Sequence, residues 1–195
     1  MKRLVEFLFE VGMLKKTPRT GFQFLGSGQE SVASHSFRTA VIGFALAKEE
    51  AGADQSRVVM MSLFHDLPEA RTGDHNYVNK RYVEVNEEAA VKDQMNGIPW
   101  GNEILELADE FSRGESLEAK LARDADQLDL ILELKEQLDI GNKYAQDWLH
   151  FAEKRLLTPA ARKMAKVILE TDWTAWWFDK NTDWWVNGPN NKKKD

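Results

Sequence analysis

The chain has 195 residues, 43% of them apolar and 30% charged, with a formal charge of −6 at neutral pH and no cysteine. That length and balance suit one substantial globular core. The missing cysteines exclude disulfides, thiolate nucleophiles and zinc–thiolate sites. The acidic balance argues against a nucleic-acid polymer as partner, because a phosphate backbone calls for clustered Lys and Arg.

The N-terminal segment carries Leu4, Phe7, Leu8, Val11 and Leu14 on one helical stripe. Glu6 and Glu10 interrupt it, and no run reaches the roughly 18 apolar residues of a membrane span. A soluble cytoplasmic protein with no membrane partner is expected. The Gly-rich loop "KTPRTGFQFLGSGQE" follows, and Ser31 is placed to cap a second helix that stops at Gly52. Asp54 caps a third helix carrying "VVMMSLFHD", which Pro68 disturbs. After the "TGDHN" turn, a charged helix is expected over about residues 80–94, ending at Asn96-Gly97. Short helices around 103–111 precede a long one from Ser116 to about Asp139. In "TPAARKMAKVILE", Thr158 is the N-cap and Pro159 takes the first helical position. Strand alternation and internal repeats are absent, so the fold class is all-α and single-domain, with a core over residues 1–172. Residues 173–195 are expected to form a Trp-rich extension with a frayed basic tip. Trp173, Trp176 and Trp177 fall at the spacing of one helix face, which suits packing over the domain or at a homodimer contact.

The segment "FHDLPEARTGD" ends a core-like helix in a polar cluster. His35 lies thirty residues before His65, and Asp126 sixty residues after Asp66. If the helices bearing them pack around one centre, His35, His65, Asp66 and Asp126 offer two imidazoles and two carboxylates. That set suits a divalent ion such as Mn²⁺, Co²⁺, Fe²⁺ or Zn²⁺ and leaves coordination positions open for water. Glu69, one turn beyond His65, falls beside such a centre. The competing reading is a set of unrelated surface or hydrogen-bonded side chains, since "HD" pairs arise by chance.

In order, "ESVASHSFRTA", "SLFHDLPEARTGD" and "EAKLARDADQLDL" resemble the H…HD…D pattern of the HD-domain metal-dependent phosphohydrolases, and more narrowly their small single-domain 5′-deoxynucleotidase branch. The resemblance runs from about Leu14 to about Leu138. It implies a helical bundle around one divalent ion (Mn, Co, Fe, Zn or Mg) held by His35, His65, Asp66 and Asp126. It implies that Glu69 handles the proton, that Asp74 meets the nucleotide sugar, and that Arg19 contacts the nucleotide. Phe22 stands where the branch more often has Trp, and Lys80 falls where relatives often carry a Lys, in reach of the phosphate. Ser34 departs from the usual acidic residue before the first His, and "HNYVNKRYVEVN" lacks a Pro-containing segment. His75 and His150 match nothing and are taken as structural or exposed.

The activity implied is phosphate release from deoxynucleoside 5′-monophosphates, by a homodimer with a small nucleotide as its ligand. One rival is a nucleoside triphosphate triphosphohydrolase, which a more basic pocket would favour. Another is a non-catalytic nucleotide-sensing module, which would have lost a ligand or Glu69. A purely structural helical bundle leaves the His/Asp set unexplained.

Overall fold

The computed structural model describes residues 1–188 and is helical throughout. The helices are α1 (Lys2–Val11), α2 (Phe22–Leu25), α3 (Val32–Glu49), α4 (Gln55–Phe64), α5 (Glu69–Thr72), α6 (Glu87–Met95), α7 (Gly101–Arg113), α8 (Leu117–Asp139), α9 (Ala145–Glu153), α10 (Pro159–Glu170) and α11 (Trp184–Asn187). Extended pairing among the described residues is limited to a single bridge between Pro18 and Ser31. That bridge ties the loop after α1 to the start of α3.

The expected caps form. Ser31, Asp54 and Thr158 each accept a backbone N–H three residues on, satisfying a donor that the first helical turn cannot, and Ser116, expected only as a helix start, does the same. Other elements differ from expectation. The charged helix begins only at Glu87, capped by the Asn86 side chain, after a 3-10 turn over Asn79–Arg81. The intervening "YVEV" is β-branched and aromatic, which disfavours an early helical start. The region around 103–111 is one continuous helix, α7. Helix α9 was not anticipated, although Ala145, Leu149 and Ala152 are buried at i, i+4 and i+7.

Helices α3, α4 and α8 pack against one another, with α9 and α10 on α8, and α7 against α4 and α8. Gly43 permits the close approach of α3 to α4, since a Cβ there would lie 2.6 Å from Ser62 Oγ. The interior forms two apolar clusters. One gathers Leu46, Leu121, Leu128, Ile131, Leu134 and Leu149. The other gathers Phe7, Leu14, Val32, Met61, Leu67, Ile104 and Leu107. Helices α3 and α8 feed both, and on α3 His35 falls between Val32 of the second cluster and Ile42 of the first.

The spacing of Trp173, Trp176 and Trp177 does not correspond to a helix face. Residues 173–177 form turns, with the Asp172 side chain accepting from Thr174 N at 2.9 Å and Thr174 Oγ1 at 2.6 Å. This local bonding competes with a regular helix. Trp173 meets Trp177 edge-on, while Trp176 is 85% exposed. The expected frayed tip lies outside the described residues.

Candidate metal centre

Two helices and a helix end converge on one point. Helix α3 supplies His35, the C-terminus of α4 delivers His65 and then Asp66, and α8 supplies Asp126. The Nε2 atoms of His35 and His65 lie 3.3 Å apart. Asp126 Oδ1 is 3.2 Å from His35 Nε2 and 3.9 Å from His65 Nε2. Asp66 Oδ2 is 3.5 Å and 3.3 Å from the same two nitrogens. One ligand atom from each of His35, His65 and Asp126 fits within 4.8 Å of the others.

The outer nitrogens are already committed. His35 Nδ1–H donates to Asp129 Oδ2 at 2.6 Å, and His65 Nδ1–H donates to the Ser62 carbonyl at 2.9 Å. Neither acceptor can donate, so Nδ1 keeps its hydrogen on each ring and Nε2, facing the centre, is the nitrogen that offers a lone pair once the ring is neutral. Asp129 is itself held by Arg38 Nε, and Arg38 Nη2 reaches Glu133 at 2.5 Å. Two imidazoles with fixed orientation beside two carboxylate oxygens form a donor set that fits a divalent ion.

The charges respond to this crowding. Burial opposes a charged His35, yet hydrogen bonds to Asp126 and Asp129 raise its pKa to about 10. Burial likewise opposes an ionised Asp126, but its bond to His35 brings it down to about 2. Asp66 is lowered too: burial raises it, and His65, His35 and Arg19 outweigh that. Glu69 moves the other way, to about 9, through burial first and then the nearby charges of Asp66 and Asp74. Its Oε2 is buried without a hydrogen-bond partner.

A cavity of about 220 Å³ opens beside the four residues, and Arg19, Phe22, Asp66, Glu69, Asp74, Lys80 and Asp126 all line it. Every site residue expected from the sequence is thus brought to one place, though not always in the expected contact. The Arg19 guanidinium faces three carboxylates, at 3.1 Å from Asp66, 3.9 Å from Asp126 and 4.0 Å from Asp74. Asp74 Oδ2 accepts from Thr20 N at 2.5 Å and Thr20 Oγ1 at 2.9 Å, which pins the Arg19 loop to the "TGD" turn. Lys80 is exposed in the middle of a 3-10 turn. His75 is half-buried with Nε2 against the Thr72 carbonyl, and His150 is exposed.

Sequence reasoning missed Tyr77, Trp148 and Arg155, which also line the cavity. Trp148 is on the unanticipated α9, and Arg155 lies just beyond it. It also missed Asp129, whose signal was present: Asp126, Asp129 and Glu133 follow one another at i, i+3 and i+7 on α8, one face of a helix.

A family model described as "HD domain" matches residues 11–167. A Bos taurus protein named 5′-deoxynucleotidase HDDC2 is 34% identical over 148 residues, covering 73% of this chain and 71% of its own. Its Homo sapiens counterpart of the same name is 32% identical, covering 73% and 72%. A crystal structure of a Pyrococcus horikoshii OT3 protein superposes with a TM-score of 0.71 at 28% identity, covering 85% of this chain and 98% of its own.

Proposed function

We propose that this chain, which belongs to the HD-domain family, is a metal-dependent phosphomonoesterase that releases phosphate from deoxynucleoside 5′-monophosphates. The observation that carries the reading is the convergence of two oriented imidazoles and two carboxylates at the wall of a cavity that also holds Glu69. The names of the bovine and human relatives support the substrate class. No helix among the described residues is long and apolar enough to cross a membrane.

His35, His65, Asp66 and Asp126 would hold the ion. A divalent ion there supplies positive charge for the phosphoryl group and lowers the pKa of water. Glu69 moves the proton. Raised to about 9, its pKa leaves the carboxyl protonated at neutral pH, so it gives a proton to the leaving 5′ oxygen and regains one from the attacking water. Arg19, beside three carboxylates, sets the position of Asp66 and Asp126 and turns its remaining N–H groups to the phosphate. Asp74, fixed by Thr20, borders the sugar. Phe22 supplies an apolar wall, and Lys80 stands at the rim.

Arg155 adds a third basic side chain to the lining, and this favours triphosphate hydrolysis as the second reading. The homodimer finds support in Phe37, Val41 and Phe44, exposed at i, i+4 and i+7 on α3. Metal-stripped protein, given each divalent ion in turn with mono- and triphosphates of both sugars, tests the reading. Inorganic phosphate from deoxynucleoside monophosphates is the expected product. Release of triphosphate selects the rival, and nucleotide binding without any release selects the sensing module.

A further inference from the structure

The cavity beside the metal centre is small for a nucleotide, at about 220 Å³, when ligand sites commonly span about 300–1,000 Å³. It does not end blindly. A second groove, about 620 Å³, shares three of its walls: Tyr77, Trp148 and Arg155. Phe151, Lys154 and Asp147 complete it. Trp148 and Phe151 sit at i and i+3 on α9, so both rings project from one face.

The walls are unusual for a surface with no ligand. Phe151 is 62% exposed and Tyr77 63% exposed. Trp148 packs against the core with part of its ring and lines both spaces with the rest. The Arg155 guanidinium lies 5.5 Å over the Tyr77 ring and donates to its hydroxyl. Burial lowers its pKa with no carboxylate to oppose the change, and its Nε is buried without a partner. A half-buried cation with unmet donors is costly unless something supplies acceptors. Arg19 meets its charge with three aspartates; Arg155 has none within ion-pair distance among the described residues.

We propose that the outer groove is the nucleobase subsite of this centre. The phosphate and sugar occupy the inner cavity, and the base lies in the groove against Trp148 and Phe151. At the threshold, Arg155 donates to the acceptors of the passing nucleotide. Continuity with the inner cavity selects this occupant, because a nucleotide held by its phosphate at the metal must put its base somewhere along the same opening. Stacking tolerates every base, since each has a π-face. This rests on the nucleotide reading of the inner site.

Phe151→Ala tests it with little risk to folding, because the ring is mostly exposed. In the ion-loaded enzyme, the variant is expected to raise KM for deoxynucleoside 5′-monophosphates about tenfold, in line with the loss of one stacking contact. Its kcat is expected to hold. Turnover of deoxyribose 5-phosphate, which has the same reacting end and no base, is expected to be unchanged. Arg155→Met is expected to weaken nucleotide binding at least as much as Phe151→Ala. Equal effects of Phe151→Ala on both substrates, or no effect on either, overturn the subsite. Calorimetric binding of a deoxynucleoside monophosphate separates this from the activity itself. Binding that weakens in Phe151→Ala supports the groove even if no phosphate is released, and that outcome defeats the enzyme reading alone. Equal affinity in variant and parent, or no binding to either, defeats the groove.

Discussion

Asp129 Oδ2 accepts the Nδ1–H of His35 at 2.6 Å, so a carboxylate that never faces the cavity decides which imidazole nitrogen does. The pair is fully buried, and Arg38 bonds the other Asp129 oxygen. An anion behind the ring raises the basicity of Nε2 and holds its plane toward Asp126. Asp129→Asn keeps an acceptor in place but removes the charge. Affinity for the divalent ion is expected to fall about 10–100-fold, the usual effect of losing such a partner. Competition against a chelating dye measures it, and unchanged affinity would remove Asp129 from the centre.

Proton linkage gives a second expectation. In the metal-free protein the folded-state pKa of His35 is about 10, above its ordinary 6.5. Its contribution to stability is therefore full below about pH 6.5 and lost as pH rises toward 10. Glu69, raised from 4.5 to about 9, has the same sign over its own window, because ionising it is harder in the folded chain. Asp126 has the opposite sign: lowered from 3.8 to about 2, it costs stability only as pH falls through that acid window. The melting temperature of chelator-treated protein should thus fall between pH 6.5 and 9. A rise across that interval would contradict the assigned charges.

The same protonation competes with the ion. Binding at neutral pH must displace the His35 proton, because the ion takes the neutral ring. Calorimetry in buffers of different ionisation enthalpy should register about one proton released per ion at pH 7. His35→Asn should abolish both tight binding and release. Tight binding with no proton released would show that the ring is already neutral.

Glu69→Gln separates chemistry from metal binding. The amide is nearly the same size but moves no proton. Turnover is expected to fall about 10²–10⁴-fold with the ion content unchanged. The acid–base limb of the kcat profile assigned to Glu69 should disappear from the residual activity. A variant as active as its parent would leave Glu69 as a buried carboxyl with no part in the reaction.

Asp124 is a structural counterpart, wholly buried on α8. Its carboxylate accepts from Leu157 N at 2.6 Å, Thr158 N at 2.8 Å and Thr158 Oγ1 at 2.6 Å. It fixes the connection from α9 to α10, and with it Arg155. Asp124→Asn turns one acceptor oxygen into a donor facing donors. A loss of about 2–3 kcal/mol is expected, roughly 5–10 °C in melting temperature for a chain of this size. Thermal unfolding reads it, and an unshifted melting temperature would rule out that tie.

The helical class and most helix starts could be read along the chain, because caps and apolar periodicity are local: Ser31, Asp54, Ser116 and Thr158 act within one turn of themselves. The candidate ligand residues could be singled out too, since imidazoles and carboxylates between apolar positions demand a partner wherever they meet. Where local preference was weak, reading failed: "YVEV" delayed α6, and the Asp172 side chain replaced a helix with turns at Trp173.

Chain order left open which atoms meet. Only packing set the His35 and His65 Nε2 atoms 3.3 Å apart, put Asp129 behind one ring, and turned Arg19 onto three carboxylates. Only packing brought Tyr77 to the same opening as the distant Trp148 and Arg155. The physical reason is range. Capping and periodicity act over a few residues and are written locally, whereas coordination and cavity walls depend on distances of a few ångströms between helices, which exist only once the interior has closed.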